Sequence, residues 1–451
     1  MTVLFSFCAL VAAVTAYPDY LGITLPPNIA PLNFDVKGTE GRVRAEYAAA
    51  DGETLAAEGP EVRFAPRPWR AFLARHAGED VRVTVSDARG ARLVATNRIA
   101  RTPMDGYLVY RLVVPSYRSF GPLGIWQRDL ATFASRPVYR NVQVDERQCV
   151  NCHTPKAADP NAYLFQLRAV DPGTVIVSEK YGKRRVCPVL KGLNAVYPAW
   201  HPSGDFVAFS HNETRQLFHL TDVDKVEVFD RRSDLSVYSL GENRCLAVET
   251  NETVLSCYPA WSPDGRRLYC STAERVEDVR DVRYDLTVRD FDPAKGTCSA
   301  PRRIFDARSE RASATLPRAS PDGRWLVFAV GPCGCFHIWH RAADLAIMDL
   351  RDGRVRRLDE LNSPEAESYH TFSSDGRWMV FSSRRDDGVH TRPYFAFFDA
   401  ERGVFAKPFL LPAEDPAEHA RQFRSYNIPE FLKGPIRESP AELKAVGRGA
   451  R

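Results

Sequence analysis

The 451-residue sequence is poor in methionine, in net charge and in long apolar runs, and each shortage excludes something. Lys and Arg total 61 against 57 Asp and Glu, a balance too even for a nucleic-acid binder, and no basic run stands out. Beyond the first 16 residues no stretch approaches the roughly 20 apolar residues that span a bilayer. There is no G-x-S-x-G, no H-E-x-x-H and no phosphate-binding loop, so the common hydrolase, metalloprotease and nucleotidase signatures are missing. A glycosidase needs two carboxylates at one site, and 57 acidic residues give no way to choose a pair.

What is present starts with a short apolar leader. Thr2–Ala16 ends in the small-residue run Val14-Thr15-Ala16, a cleavage signature before Tyr17. The leader lacks a basic start, and Phe7 ahead of Cys8 does not suit a lipid-anchor site. Residues 1–16 therefore read as a signal peptide or apolar leader of an exported protein of the bacterial periplasm or cell envelope. Ten cysteines fit such a compartment.

Cys149-Val150-Asn151-Cys152-His153 is C-x-x-C-H, the attachment pattern of a c-type haem. Two thiols three positions apart on a tight turn each add to a porphyrin vinyl group, and the next histidine becomes the proximal iron ligand. On the order of 0.005 such patterns are expected by chance in a chain of this composition. One covalent haem c on Cys149 and Cys152, with iron on His153, is the expectation. A thioredoxin-like or zinc reading needs a strand–helix context or a second ligand pair, and neither is seen. With Cys8 in the leader and two thiols on haem, an odd number of cysteines remains, so at least one is free, intermolecular or metal-bound.

The chain after the motif repeats. Tyr197-Pro198-Ala199-Trp200-His201-Pro202-Ser203-Gly204 returns as Tyr258-Pro259-Ala260-Trp261-Ser262-Pro263-Asp264-Gly265. Shorter versions end at Ala319-Ser320-Pro321-Asp322-Gly323 and Tyr369-His370-Thr371-Phe372-Ser373-Ser374-Asp375-Gly376. In such a turn Pro presets φ, Asp bonds the backbone and Gly takes positive φ. An apolar strand follows each turn, and a second hairpin follows that. Two hairpins per unit make a four-stranded propeller blade. Gln148–Val186 aligns as a further blade whose inner-strand turn carries the C-x-x-C-H. The expected fold is all-β: a β-sandwich-like domain at 26–115 with one short helix at Trp69–Ala74, a linker at 116–144, a propeller at 145–415 and a fraying tail at 416–451. Five blades are counted, with a sixth if N-terminal or C-terminal strands close the ring. Trp126–Leu130 in the linker reads as one or two helical turns.

These repeats resemble the TolB-like β-propeller repeat over roughly Cys149–Leu411. The longer pattern is Ile23–Phe34, the C-x-x-C-H, Tyr197–Asn212, Cys335–His340, Ser368–Gly388 and Ser425–Phe431. It resembles exported TolB-like proteins of Bacteroidetes-type bacteria that combine a front domain, one C-x-x-C-H and a propeller. That resemblance implies cytochrome-like or TolB-like roles and no settled activity.

Three functions follow from this reading. The first is a haem-bearing electron carrier or haem-stabilised protein with a redox or envelope partner. The second is a scaffold binding a protein or polymer, and the third is a propeller hydrolase. A low-spin carrier needs a second iron ligand. Met348 and Met379 lie in apolar strands and read as core. In a five-blade ring the last blade adjoins the haem blade, and His370 stands there where blade three has Pro259. His370 is therefore the distal candidate, with His201 and His219 behind it; a plain hydrogen-bonded role is the alternative. Cys257 and Cys270 flank their turn symmetrically and could pair. Cys333-Gly334-Cys335-Phe336-His337-Ile338-Trp339-His340 crowds soft ligands into eight residues without matching a standard zinc spacing.

Overall fold

The computed structural model describes residues 14–449 except 40, 91, 115–122, 142–147, 170 and 220. The chain divides into two compact units. The smaller holds residues 1–103, 131–133 and 409–422; the larger holds 104–130, 134–408 and 423–451. Most of the expected leader lies outside the described residues, but Thr15–Tyr17 forms a strand paired with Asp35–Lys37. No helix among the described residues is long and apolar enough to cross a membrane.

In the smaller unit the sheet order is Thr24–Leu25, Arg92–Ile99, Asp80–Asp87, Val43–Ala48, Thr54–Gly59. Alternation buries Val81, Val83 and Val85 while their neighbours face outward. The helix, Pro66–Arg75, opens with proline, whose missing N–H costs nothing there. It buries Trp69, Phe72 and Leu73. Trp69 packs 5.4 Å from Tyr47 and 5.0 Å from Phe64, so the layer over this sheet comes from a helix and loops.

Six antiparallel sheets form the larger unit among the described residues. Blade 1 is Gln148–Lys156, Asp159–Ala169, Gly173–Ser178 and Gly182–Val186. Blades 2 to 5 have inner strands Leu193–Trp200, Val254–Trp261, Ser313–Ala319 and Glu367–Phe372. In each, a turn glycine with φ of 70–77° leads to the next strand, as the turn chemistry requires. Trp200 donates its indole N–H to Thr154 O at 3.2 Å, and Trp261 to Ala199 O at 3.0 Å. The two tryptophans thus tie the inner strands of blades 2 and 3 each to the one before it.

The sixth blade joins the two ends of this unit. Ser425–Leu432 is its inner strand and pairs antiparallel with Tyr107–Val113; Gly124–Asp129 and Ser135–Arg140 complete the sheet. The inner strands then neighbour one another in a closed cycle of six. The segment expected as a linker at 116–144 supplies two of these strands, and the helical turn expected at Trp126–Leu130 is strand instead, paired on one side with Tyr107–Val113 and on the other with Ser135–Arg140; residues 116–122 and 142–144 lie outside the described residues. Gln127 donates to Ile436 O at 3.0 Å and accepts from Ile436 N at 2.9 Å. The expected fraying tail instead supplies that inner strand and a helix, Pro440–Gly447, with a Ser439–Glu442 capping box and buried Leu443 and Val446.

Candidate functional site in the central channel

Each inner strand breaks register at the same place, and that of blade 1 does so again at Pro155/Lys156. The shifts fall at Asn151/His153, Val196/Ala199, Cys257/Ala260, Thr315/Arg318, Ser368/Thr371 and Asn427/Glu430. One residue of each bulge has positive φ: Cys152, Tyr197, Tyr258, Leu316, Tyr369 and Ile428, between 25° and 56°. Such backbone is costly for non-glycine residues, of order 1–3 kcal/mol each, and its sixfold recurrence marks a built feature. These residues ring a narrow void of about 40 Å³ on the channel axis. Proline follows the bulge residue in four blades and histidine in two, His153 and His370.

On the turn side of this ring the channel widens to a funnel of about 350 Å³. Trp200, Trp261, Phe372 and Phe431 contribute to its wall. The indole N–H groups of the two tryptophans are spent between blades, so apolar ring surface remains for the funnel. Polar groups gather where inner strands of blades 1, 4 and 6 converge. Thr154 Oγ1 donates to Glu430 Oε1 at 3.2 Å, and Arg318 lies 3.6 Å from the same oxygen. The other carboxylate oxygen, Oε2, is buried without a partner. Burial raises the Glu430 carboxyl to about 7, against the opposing pull of Arg318 and Thr154. Arg318 borders both the funnel and the ring void. Sequence reasoning missed Glu430, although Ile428-Pro429-Glu430-Phe431 repeats the apolar–Pro–x–aromatic order of Tyr197-Pro198-Ala199-Trp200.

The C-x-x-C-H lies in the inner strand of blade 1, not in a turn. Cys152 is the bulge residue and is buried on the ring void, Cys149 is half-buried, and both thiols are free. His153 is buried, its pKa lowered to about 3 by burial first and by Arg111 next. Neither of its ring nitrogens makes a full hydrogen bond, with the backbone of Val109 and Ile428 alongside. The donor set is that of a haem site, and the orphaned imidazole is what a missing ligand would satisfy. The packing around His153 is close: among the described residues it lines the ring void and a gap of about 10 Å³ shared with Val109, Ile125, Phe165 and Leu432. A tetrapyrrole does not fit in this packing of blades 6 and 1.

His370 does not stand beside His153, because blade 6 separates blade 5 from blade 1. Its Nε2 bonds Val327 O at 2.9 Å in blade 4, and burial lowers its pKa to about 3. The assignment of His370 as distal ligand rested on a five-blade ring, and the sixth blade removes that premise. His201 is held by Ser203 Oγ at 2.8 Å and Gly265 O at 3.0 Å. A Cβ on Gly265 would strike the His201 ring, which is why glycine is required there beyond its φ. His219 is exposed near the tip of the long hairpin of blade 2. Met348 and Met379 are core, as expected. Cys257 and Cys270 are both free: Cys257 packs with Cys335, and Cys270 Sγ lies 3.1 Å from Thr287 Oγ1.

The closed cycle of six sheets with an axial channel defines a six-bladed β-propeller. No protein-family model matches the sequence, and no curated protein matches it. Among solved structures the chain is similar to TolB from Acinetobacter baumannii, at 14% identity and TM-score 0.46, covering 78% of this chain and 79% of that one. It is also similar to an oligogalacturonate lyase in complex with manganese, at 14% identity and TM-score 0.37, covering 83% and 98%. A third is prolyl oligopeptidase B from Galerina marginata, at 11% identity and TM-score 0.39, covering 70% and 53%. The likeness is one of fold alone.

Proposed function

We propose that the chain is an exported TolB-like propeller scaffold of the periplasm or cell envelope that binds a protein or polymer partner through the funnel of its central channel. The observation that carries this is Glu430: a buried carboxylate with one oxygen unpartnered, facing Arg318 on the floor of an aromatic-walled funnel. A buried polar atom left open is expensive unless something fills its place. Glu430 accepts a hydrogen bond and Arg318 donates one, so the recognised group both donates and accepts, as an amide or a sugar hydroxyl does. The aromatic wall covers the apolar part of the same ligand. The test is thermal stabilisation of the purified protein by a panel of small amides, sugars and amines. A subset should raise the melting temperature of the wild type and lose that effect in Glu430→Gln and in Arg318→Ala. Stabilisers that act equally on all three proteins, or none at all, would sink the proposal.

Covalent haem on Cys149 and Cys152 with His153 as iron ligand is the second reading, favoured by the two orphaned nitrogens of His153 beside free thiols. It requires the seam between blades 6 and 1 to open, since the closed packing has no room for the group. Bound haem would supply one-electron chemistry. The chain's own part is to hold His153 neutral and dry. Expression with haem-maturation machinery and intact mass decides it: one haem added supports the reading, and a bare polypeptide mass rejects it.

A further inference from the structure

The loop between the second and third strands of blade 4 carries Cys333, Cys335, His337 and His340, and the structure splits this group in two. His337 turns inward, its Nδ1 2.9 Å from Thr315 Oγ1. Cys335 packs beneath Tyr258 and Tyr284 and lies 3.7 Å from Asp230. Cys333 and His340 meet the same hairpin, Phe206–Phe218/Val226–Ser239 of blade 2, nearer its tip than Asp230. There they meet Glu227. One ligand atom each of Glu227, Cys333 and His340 lies within 4.8 Å of the other two. His340 Nε2 is 2.8 Å from Glu227 Oε2.

Two further observations bear on this cluster. His340 is 1% exposed and is held through Nε2 on Glu227, its other ring nitrogen, Nδ1, having no hydrogen-bond partner. Gly334 bends the loop at φ 64°, and a Cβ there would crowd Glu227 Oε1 at 3.2 Å and His340 Cε1 at 3.4 Å. The glycine keeps the centre of the cluster clear. The surrounding charge is negative on balance: Asp224 and Asp281 also face Cys333, with Arg283 opposing them.

We propose that Glu227, Cys333 and His340 form a binding site for a divalent transition metal of the zinc class. Thiolate, imidazole and carboxylate together suit a borderline-soft ion and do not suit calcium or magnesium, which take oxygen ligands. Three protein ligands leave the fourth tetrahedral position to water. Binding displaces the Cys333 thiol proton, after which the two negative ligands neutralise the ion. The ion staples the projecting hairpin of blade 2 to the loop of blade 4. That loop in turn rests on the channel ring through Phe336, whose centroid is 6.4 Å from Tyr197.

The test is titration of the full-length, chelator-stripped protein with cobalt(II) and with zinc(II) against a chromophoric chelator. The expected result is one ion per chain, with a thiolate-to-cobalt charge-transfer band. Cys333→Ser should abolish that band, and His340→Gln and Glu227→Gln should each weaken zinc binding about 100-fold or more. Cys187→Ser, at an exposed thiol outside the cluster, should change neither. Circular dichroism of each variant establishes that it is folded. Absence of the band in the wild type, or its persistence in Cys333→Ser, overturns the assignment.

Discussion

Replacing Glu430 by glutamine isolates the feature on which the funnel depends. Glutamine keeps the shape and the acceptor for Thr154 Oγ1 but cannot ionise. In the folded protein the Glu430 carboxyl is raised from 4.5 to about 7 by burial, which outweighs Arg318 and Thr154. The unfolded chain gives up that proton near its ordinary value, so between the two values the folded state holds more protons. Stability from this group is therefore full below about pH 4.5 and lost as pH rises through about 7. At about 1.36 kcal/mol per unit, the loss is about 3 kcal/mol. His153, His337 and His370, each lowered to about 3 mainly by burial, act in the opposite sense: their stabilisation is present above the ordinary histidine value and lost as pH falls. They are common to both proteins and cancel in the comparison. Urea unfolding of wild type and Glu430→Gln from pH 4.5 to 8 should show the variant gaining on the wild type by about 3 kcal/mol across the range. A gap that stays constant to within about 0.5 kcal/mol would refute the account of Glu430 as a buried, half-ionised carboxylate.

Other outcomes follow from the closure of the ring and from its buried histidines. His370→Ala removes the bond to Val327 O and leaves a small cavity, so urea unfolding at pH 7.5 should show a loss of about 2 kcal/mol. If haem is attached, the ferric spectrum of that variant should match the wild type, because blade 6 stands between His370 and His153. A chain starting at Gln148 lacks three strands of blade 6, and one ending at Arg424 lacks its inner strand. Both should lose the sharp melting transition of the full chain in calorimetry.

Blades 2 to 5 were legible because their information is local. Each Ser-Pro-Asp-Gly or related turn names its own positive-φ glycine, and the apolar strand after it follows at once. Blade 6 was not, because its inner strand lies some 300 residues from the strand it pairs with and is followed by Lys433-Gly434 instead of the repeat turn. The sequence allows a sixth blade closed by terminal strands, but the five-blade count placed His370 beside the motif. The Cys149–His153 motif was visible as a pattern, but its setting was not: only the register shift shared by all six inner strands reveals Cys152-His153 as the counterpart of Tyr197-Pro198. Glu430 was hidden for a different reason. Its character comes from Arg318 and Thr154, which reach it from other blades, and nothing adjacent in sequence announces them.

Everything on the funnel floor depends on Ser425–Leu432 being an inner strand of the ring. Native-state hydrogen exchange of this segment tests that most directly. The account predicts that the amides bonded to Tyr107–Val113 exchange only through global unfolding, as slowly as those of Val254–Trp261 in blade 3. Exchange at the rate of a frayed chain end would contradict it, and with it the placement of Glu430 against Arg318 and Thr154.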